Sequence, residues 1–340
     1  MPEQSAASPT PERIFQLAWG YTLPLIIESA IRNKVFDVLD GKRLSLEQVS
    51  SATGASIRGL KAIMNALIGL ELLDRGDDGL YSLTPESDLF LVSTKPTFAG
   101  GILRHTSGQL IPKWLSITDI VRTGRPGAAV NQQAEGSNFF HEFVEDILPM
   151  SYPAASNLAR NLDIESSTDK VSVLDIASGS GVWGIALAQA SKNVRIRAID
   201  WEHVLEVTRR VTAKFGVADR FEYVAGDLMT ADLGTGHQFA TLGHILHSEG
   251  EARSKQLLGR VFKALAPGGK IIIAEMVPNA DRKGPTFPLL FAVNMLVNTD
   301  EGDTYSFDEI SSWLTDAGYV EIYTMPGPGP SPLLLASKPK

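Results

Sequence analysis

From Val171 onward, short apolar runs alternate with helical stretches, and that alternation constrains the fold more than any other feature of the chain. VSVLDIA, VRIRAID, FEYVAG, ATLGHIL and KIIIAEMV are strand-like, while segments such as GVWGIALAQA and VLEVTRRVTAKF have helical spacing. Such alternation implies an α/β fold: a mostly parallel sheet with helices on both faces. The end, GYVEIYTMPGPGPSPLLLASK, has two strand-like runs around a Gly/Pro loop, so an antiparallel hairpin is expected to close the sheet.

The first half has a different period. Pro11 to Leu39 reads as helix, with Pro24 expected to kink or split it. Ser45, followed by Gln48, forms a capping-box pattern ahead of the next helix. A further helix is expected from Ile57 to Leu72, then two short strands around Asp78-Gly79. Helix, turn, helix, hairpin is the outline of a winged helix. Residues 95 to 162 read as mostly helical, broken by TGRPGAAVNQQAEGSN. The expected division is a winged-helix-like domain over 1–95, a helical connector over 96–165 and a catalytic domain over 166–340, with the first ten residues frayed.

VLDIASGSGVWG is a strand, a glycine-rich turn and a helix start. Gly179, Gly181 and Gly184 satisfy the dinucleotide fingerprint, with Asp200 about twenty residues on. The same parts suit S-adenosylmethionine (AdoMet), whose methionine carboxylate would meet the exposed N–H groups at the helix start. Asp175 favours AdoMet: a carboxylate before the loop can face an ammonium, whereas a pyrophosphate gains nothing from it. Asp227 continues the pattern toward an adenine amino group, with Leu228 beside it to cover the ring. Each acid alone reads as a turn or cap residue. Three at successive strand ends fit a ligand at the carboxyl edge of a sheet.

These motifs resemble the small-molecule O-methyltransferases with a winged-helix-like N-terminal dimerisation domain, the group of the caffeic acid and N-acetylserotonin enzymes. VLDIASGSG, IDWEHVLEV and AGDL are similar to their donor-binding segments, and HILHSEGEARSKQLLGRVFKALAPGGKIIIAE to their catalytic stretch. The resemblance implies AdoMet as cofactor, S-adenosylhomocysteine (AdoHcy) as product, and a donor site of Asp175, Ser178, Gly179, Gly181, Asp200, Trp201, Asp227, Leu228 and His244. It implies His247 as general base and Glu275 as its orienting partner, and a homodimer. The chain departs from the family pattern after the base, with Ser248-Glu249 in place of Asp-Trp, and in the segment EGDTYS, where Asp303 or Thr304 would have to supply a second acidic partner.

The acceptor pocket is expected between the domains, from Trp114, Phe139, Phe143, Ile147 and Met150 together with Phe287, Phe291, Asn294 and Met295. Residues at such spacing are often plain core, but Asn294 within an apolar run needs a partner. An apolar lining suits a planar aromatic or polyketide-like acceptor.

The remaining features exclude rather than assign. There are no cysteines, so thiol catalysis and disulfides are out. A net charge of -8 disfavours nucleic acid and anionic membrane. The apolar runs are too short to span a bilayer and no signal peptide is evident, so a cytoplasmic enzyme is expected. No metal is expected, because His244 and His247 leave a strand and need not share a face. Other readings keep the fold with C- or N-methylation or a diverged AdoMet reaction, make the chain an NAD-dependent dehydrogenase, or make it a ligand-responsive DNA-binding regulator. The last is disfavoured by a recognition helix whose only basic residues are Arg58 and Lys61.

Overall fold

The computed structural model describes residues 9–127, 129–130, 139–141, 143–162, 164–329 and 331–340. Residues 1–8, expected to fray, and most of the Gly/Asn-rich interruption after 130 lie outside these. The chain folds as two compact units, residues 1–112 and 113–340.

The first unit is helical. Helices α1 (Glu12–Ala18), α2 (Thr22–Arg32), α3 (Val35–Leu39), α4 (Leu46–Thr53) and α5 (Ile57–Gly69) precede a two-stranded hairpin, β1 (Leu73–Arg75) and β2 (Tyr81–Leu83). Pro24 breaks nothing. It sits in the first turn of α2, where its missing N–H has no intrahelical partner to lose, and the break falls earlier, at Trp19-Gly20-Tyr21. The Ser45 capping box forms as expected, with Ser45 N–H donating to Gln48 Oε1 at 2.7 Å. Val35, Phe36, Val49, Leu60, Met64, Leu67 and Tyr81 make the core.

By length and composition the stretch Glu12–Arg32 could cross a membrane, contrary to the expectation from apolar runs. Its buried Glu28, however, is built into this unit: it accepts from Ser107 N–H at 2.9 Å, from the Ser107 hydroxyl at 2.8 Å and from Arg32 at 2.8 Å. Ile14, Phe15, Leu17, Trp19 and Tyr21 all stand exposed on α1 and the turn after it.

The second unit is built on seven strands: β3 (Val171–Ile176), β4 (Val194–Asp200), β5 (Phe221–Ala225), β6 (His237–Gly243), β7 (Leu265–Ala274), β8 (Val320–Met325) and β9 (Leu333–Ser337). Their order is β5-β4-β3-β6-β7-β9-β8. Strands β5 to β7 are parallel, and β9 runs antiparallel to both β7 and β8, which is the closing hairpin expected. Side chains alternate between two buried layers, Val173, Ile196 and Ile272 on one face and Leu174, Ile176, Ile199, Leu242 and Ile273 on the other. Burying each such aliphatic side chain is worth about 1.5–3 kcal/mol, so the sheet edge that carries the site is a rigid platform.

Candidate active site

At the end of β3 the chain turns through Ala177 to Gly181 into the helix Val182–Ala190. Ala177 (φ 51°) and Gly181 (φ 80°) both lie in the left-handed region, which glycine adopts freely and alanine only at a cost. Two neighbours hold the turn. Thr208 donates to Gly179 O at 2.7 Å, and the Asp200 carboxylate at the tip of β4 accepts from Gly179 N–H and Trp201 N–H, each at 2.8 Å. Gly184, the third glycine of the fingerprint, serves packing: a Cβ there would lie 2.9 Å from Phe221.

Asp175 is fully buried. Its Oδ1 accepts from the Thr241 hydroxyl at 2.7 Å and its Oδ2 from Gly184 N–H at 3.3 Å. Burial pushes its carboxyl up to about 7 despite these bonds, and nearby Asp200 adds to the rise. Burial likewise raises Asp200 to about 6, against its two backbone bonds. Two acids held this far above their ordinary range at one loop are short of positive charge. The Ser178 hydroxyl beside them is buried without a partner. An ammonium and a carboxylate, as on the methionine end of AdoMet, would answer both deficits, while Asp200 keeps lone pairs for a ribose diol.

Asp227 follows β5. Its Oδ1 accepts from Met229 N–H at 2.7 Å and its Oδ2 from Arg253 at 3.3 Å, while Arg253 Nε donates to buried Glu249 at 2.6 Å. No local pattern signals this Arg253 bridge, which joins segments 26 residues apart. Leu228 is buried beside Asp227.

His247 lies on a short turn at the start of the helix Leu246–Ala264. That helix is broken at Gly250 (φ 75°, ψ 166°), where a Cβ would come within 2.9 Å of Glu301. Glu275, just past β7, accepts from the His247 ring at Nδ1 (2.7 Å) and from its backbone N–H (3.3 Å). Both residues are buried. Burial raises the Glu275 carboxyl, but the facing His247 outweighs it and holds the group below its usual range. The carboxylate is therefore the acceptor and Nδ1–H the donor, which leaves Nε2 with the free lone pair. Neither Asp303 nor Thr304 bonds the imidazole. Asp303 donates its backbone N–H to His247 O at 2.9 Å, and the Thr304 hydroxyl donates to Pro288 O at 3.3 Å.

The spacing of His244 and His247 does not require them to meet, yet they do. His244 has a left-handed backbone (φ 62°) just past β6, and one ligand atom each from His244, His247 and Glu275 lie within 4.8 Å of one another. Its Nδ1 is buried without a partner, and burial lowers the ring to about 4, so it is neutral near pH 7. Trp183 packs so closely on the preceding Gly243 that a Cβ there would meet its ring at 1.9 Å. Neither Trp183 nor Thr241 was anticipated. A threonine between Ala240 and Leu242, in the apolar part of β6, is the available signal for the latter.

Among the acceptor candidates, Phe291 stands edge-on to the His247 ring at 5.0 Å, with Phe287 6.0 Å beyond it. They belong to the helix Thr286–Asn298, which also carries Asn294 and buried Met295. Asn294 Oδ1 accepts from Trp114 at 3.3 Å and from Asn298 at 3.0 Å. Phe139 and Phe143 pair at 5.1 Å, and neighbouring Phe140 approaches Trp201 at 6.4 Å. Ile147 and Met150 are half-buried, and no geometry assigns them to an acceptor.

Two family descriptions match: an O-methyltransferase domain over residues 119–320 and an O-methyltransferase dimerisation domain over residues 15–93. The chain belongs to the O-methyltransferase family. It is an AdoMet-dependent methyltransferase by that membership. The tetracenomycin polyketide synthesis 8-O-methyl transferase TcmO of Streptomyces glaucescens is 28% identical to it, with 97% of each chain covered. The S-adenosyl-L-methionine-dependent methyl transferase PigF of a Serratia species is 27% identical over 94% of this chain and 93% of that one. A solved structure from Nostoc punctiforme, assigned as an O-methyltransferase, superposes with a TM-score of 0.89 at 27% identity, covering 98% of this chain and all of the other.

Proposed function

We propose that this methyltransferase methylates a hydroxyl group of a small aromatic or polyketide-like acceptor, with His247 as the general base and Glu275 as the residue that positions it. The buried 2.7 Å bond between His247 Nδ1 and Glu275 carries the reading. A phenol has a pKa of about 10 and attacks weakly until its proton leaves. With Nδ1–H fixed on the carboxylate, Nε2 takes the hydroxyl proton as the oxygen attacks, and Glu275 steadies the imidazolium that forms. Bound AdoMet supplies an activated methyl group on a sulfonium that leaves as a neutral thioether. Ser178, the loop from Gly179 to Gly181, Asp200 and Asp227 would hold it, and Asp175 would act from beneath that loop.

Phe291 supplies an apolar wall beside the base. Trp114 and Asn298 occupy the Asn294 carbonyl, so its amide N–H groups are the ones turned to an acceptor oxygen. The relative TcmO, named for an 8-O-methyl transfer in polyketide synthesis, supports an acceptor of this class. Exposed Phe15, Leu17, Trp19 and Tyr21, within the stretch that matches a dimerisation domain, support a homodimer. The -8 charge favours neither nucleic acid nor anionic membrane as partner. A panel of phenolic and polyketide acceptors, incubated with methyl-labelled AdoMet and read by mass analysis, tests the reading. Oxygen-linked label that disappears in His247→Ala supports it, and label on carbon or nitrogen refutes it.

A further inference from the structure

We propose that His244, His247 and Glu275 form a binding site for a borderline divalent transition metal, with Zn²⁺ as the representative ion, and that the ion inhibits the enzyme. Two imidazoles and a carboxylate are a donor set for such ions, and the three ligand atoms already lie within 4.8 Å of one another. His247 Nδ1 and Glu275 are hydrogen-bonded at 2.7 Å, and ligand bonds of about 2.0–2.2 Å set two tetrahedral ligands roughly 3.3 Å apart, so the pair opens by about 0.6 Å, and His244 closes in, to take the ion. Among the described residues nothing bonds the buried His244 Nδ1, so recruiting it breaks no bond seen there. Its left-handed backbone (φ 62°) is a strained conformation for a non-glycine residue, of the kind that clusters at functional sites.

The exchange balances simply. The ion takes the place of the His247 Nδ1 proton, which leaves to solvent. It then bridges Nδ1, the Glu275 carboxylate and His244, with its remaining positions open to water. A cation on one ring nitrogen withdraws electron density from the other, so Nε2 becomes a poorer proton acceptor. The inference rests on the cluster's geometry and not on the base assignment, and binding can be measured without turnover.

Full-length protein stripped of metal and donor would be titrated with Zn²⁺ by calorimetry, and with Co²⁺ while its visible ligand-field bands are followed. One equivalent is expected, with Co²⁺ bands of four- or five-coordinate intensity. Even changes outside a metal's direct ligands cost about 10–100-fold in affinity, so His244→Ala and His247→Ala should each weaken binding by at least about tenfold. His203→Ala, on another helix, should not. Zn²⁺ should inhibit methyl transfer, with recovery on adding EDTA. Absence of stoichiometric binding to the wild-type protein would overturn the site, as would undiminished binding in folded His244→Ala and His247→Ala. The wild-type Co²⁺ spectrum decides the matter should a variant fail to fold.

Discussion

The proposed donor and acceptor sides of the sheet edge are built by different means. On the donor side, carboxylates at successive strand tips are held largely by backbone N–H groups: Asp200 by Gly179 and Trp201, Asp227 by Met229, and Asp175 in part by Gly184. On the acceptor side, side chains hold side chains, His247 with Glu275 and Asn294 with Trp114 and Asn298. Backbone-held groups follow from the fold itself. Side-chain pairs depend on which residues meet, and that is where one family can change its substrate while keeping its donor.

If the two sides work separately, substitutions should split cleanly between turnover and donor binding. The largest effect is expected from His247→Ala: loss of about 10²- to 10⁴-fold in kcat, the usual contribution of a general base, with AdoHcy affinity by calorimetry little changed. Asp200→Ala should do the reverse, weakening AdoHcy binding by about 10–100-fold, as loss of a charged hydrogen-bond acceptor implies. A variant that moved both quantities equally would break the comparison.

Acidity offers a finer test. The Asp175 carboxyl is pushed by burial up to about 7 in the folded chain, against an ordinary value of 3.8. Between those values the folded protein holds a proton that the unfolded chain lacks. Stability from this group is therefore greatest on the acid side and is lost as pH rises toward 7, the opposite of an ion-paired aspartate. Donor binding that uses the charged carboxylate runs the other way, falling by up to about tenfold per unit as pH drops below about 7. Calorimetry across pH 5–8, on the order of three units, should show both trends reduced in Asp175→Asn.

Asn294→Ala should raise the acceptor KM about fivefold, the equivalent of one hydrogen bond of about 1 kcal/mol, and leave the donor KM alone. Ser45→Ala, far in sequence from either side, should cost about 1 kcal/mol of stability in thermal unfolding and nothing in kinetics. It marks the baseline against which the others are read.

The same contrast explains what was legible in the sequence. Strand alternation, the glycine turn, the capping box and the acids at strand tips are local patterns, and all were readable. The position of His247 came from the family resemblance. What was missed is contact between distant segments: Thr241 against Asp175, Arg253 against Asp227, and Trp183 against Gly243. The His244 turn was missed for another reason. Spacing along a strand assumes extended backbone, and the left-handed His244 past the strand departs from it.

The break at Gly250 has a consequence of its own. The imidazole rides on a short turn, separated by that break from the long helix that follows. Changes along the helix surface, or slight tilting of its axis as neighbouring loops grow or shrink, need not be transmitted to the ring. Its anchorage is Glu275 and the 301–303 strap instead. Remodelling of the outer shell can then proceed with the imidazole kept in place.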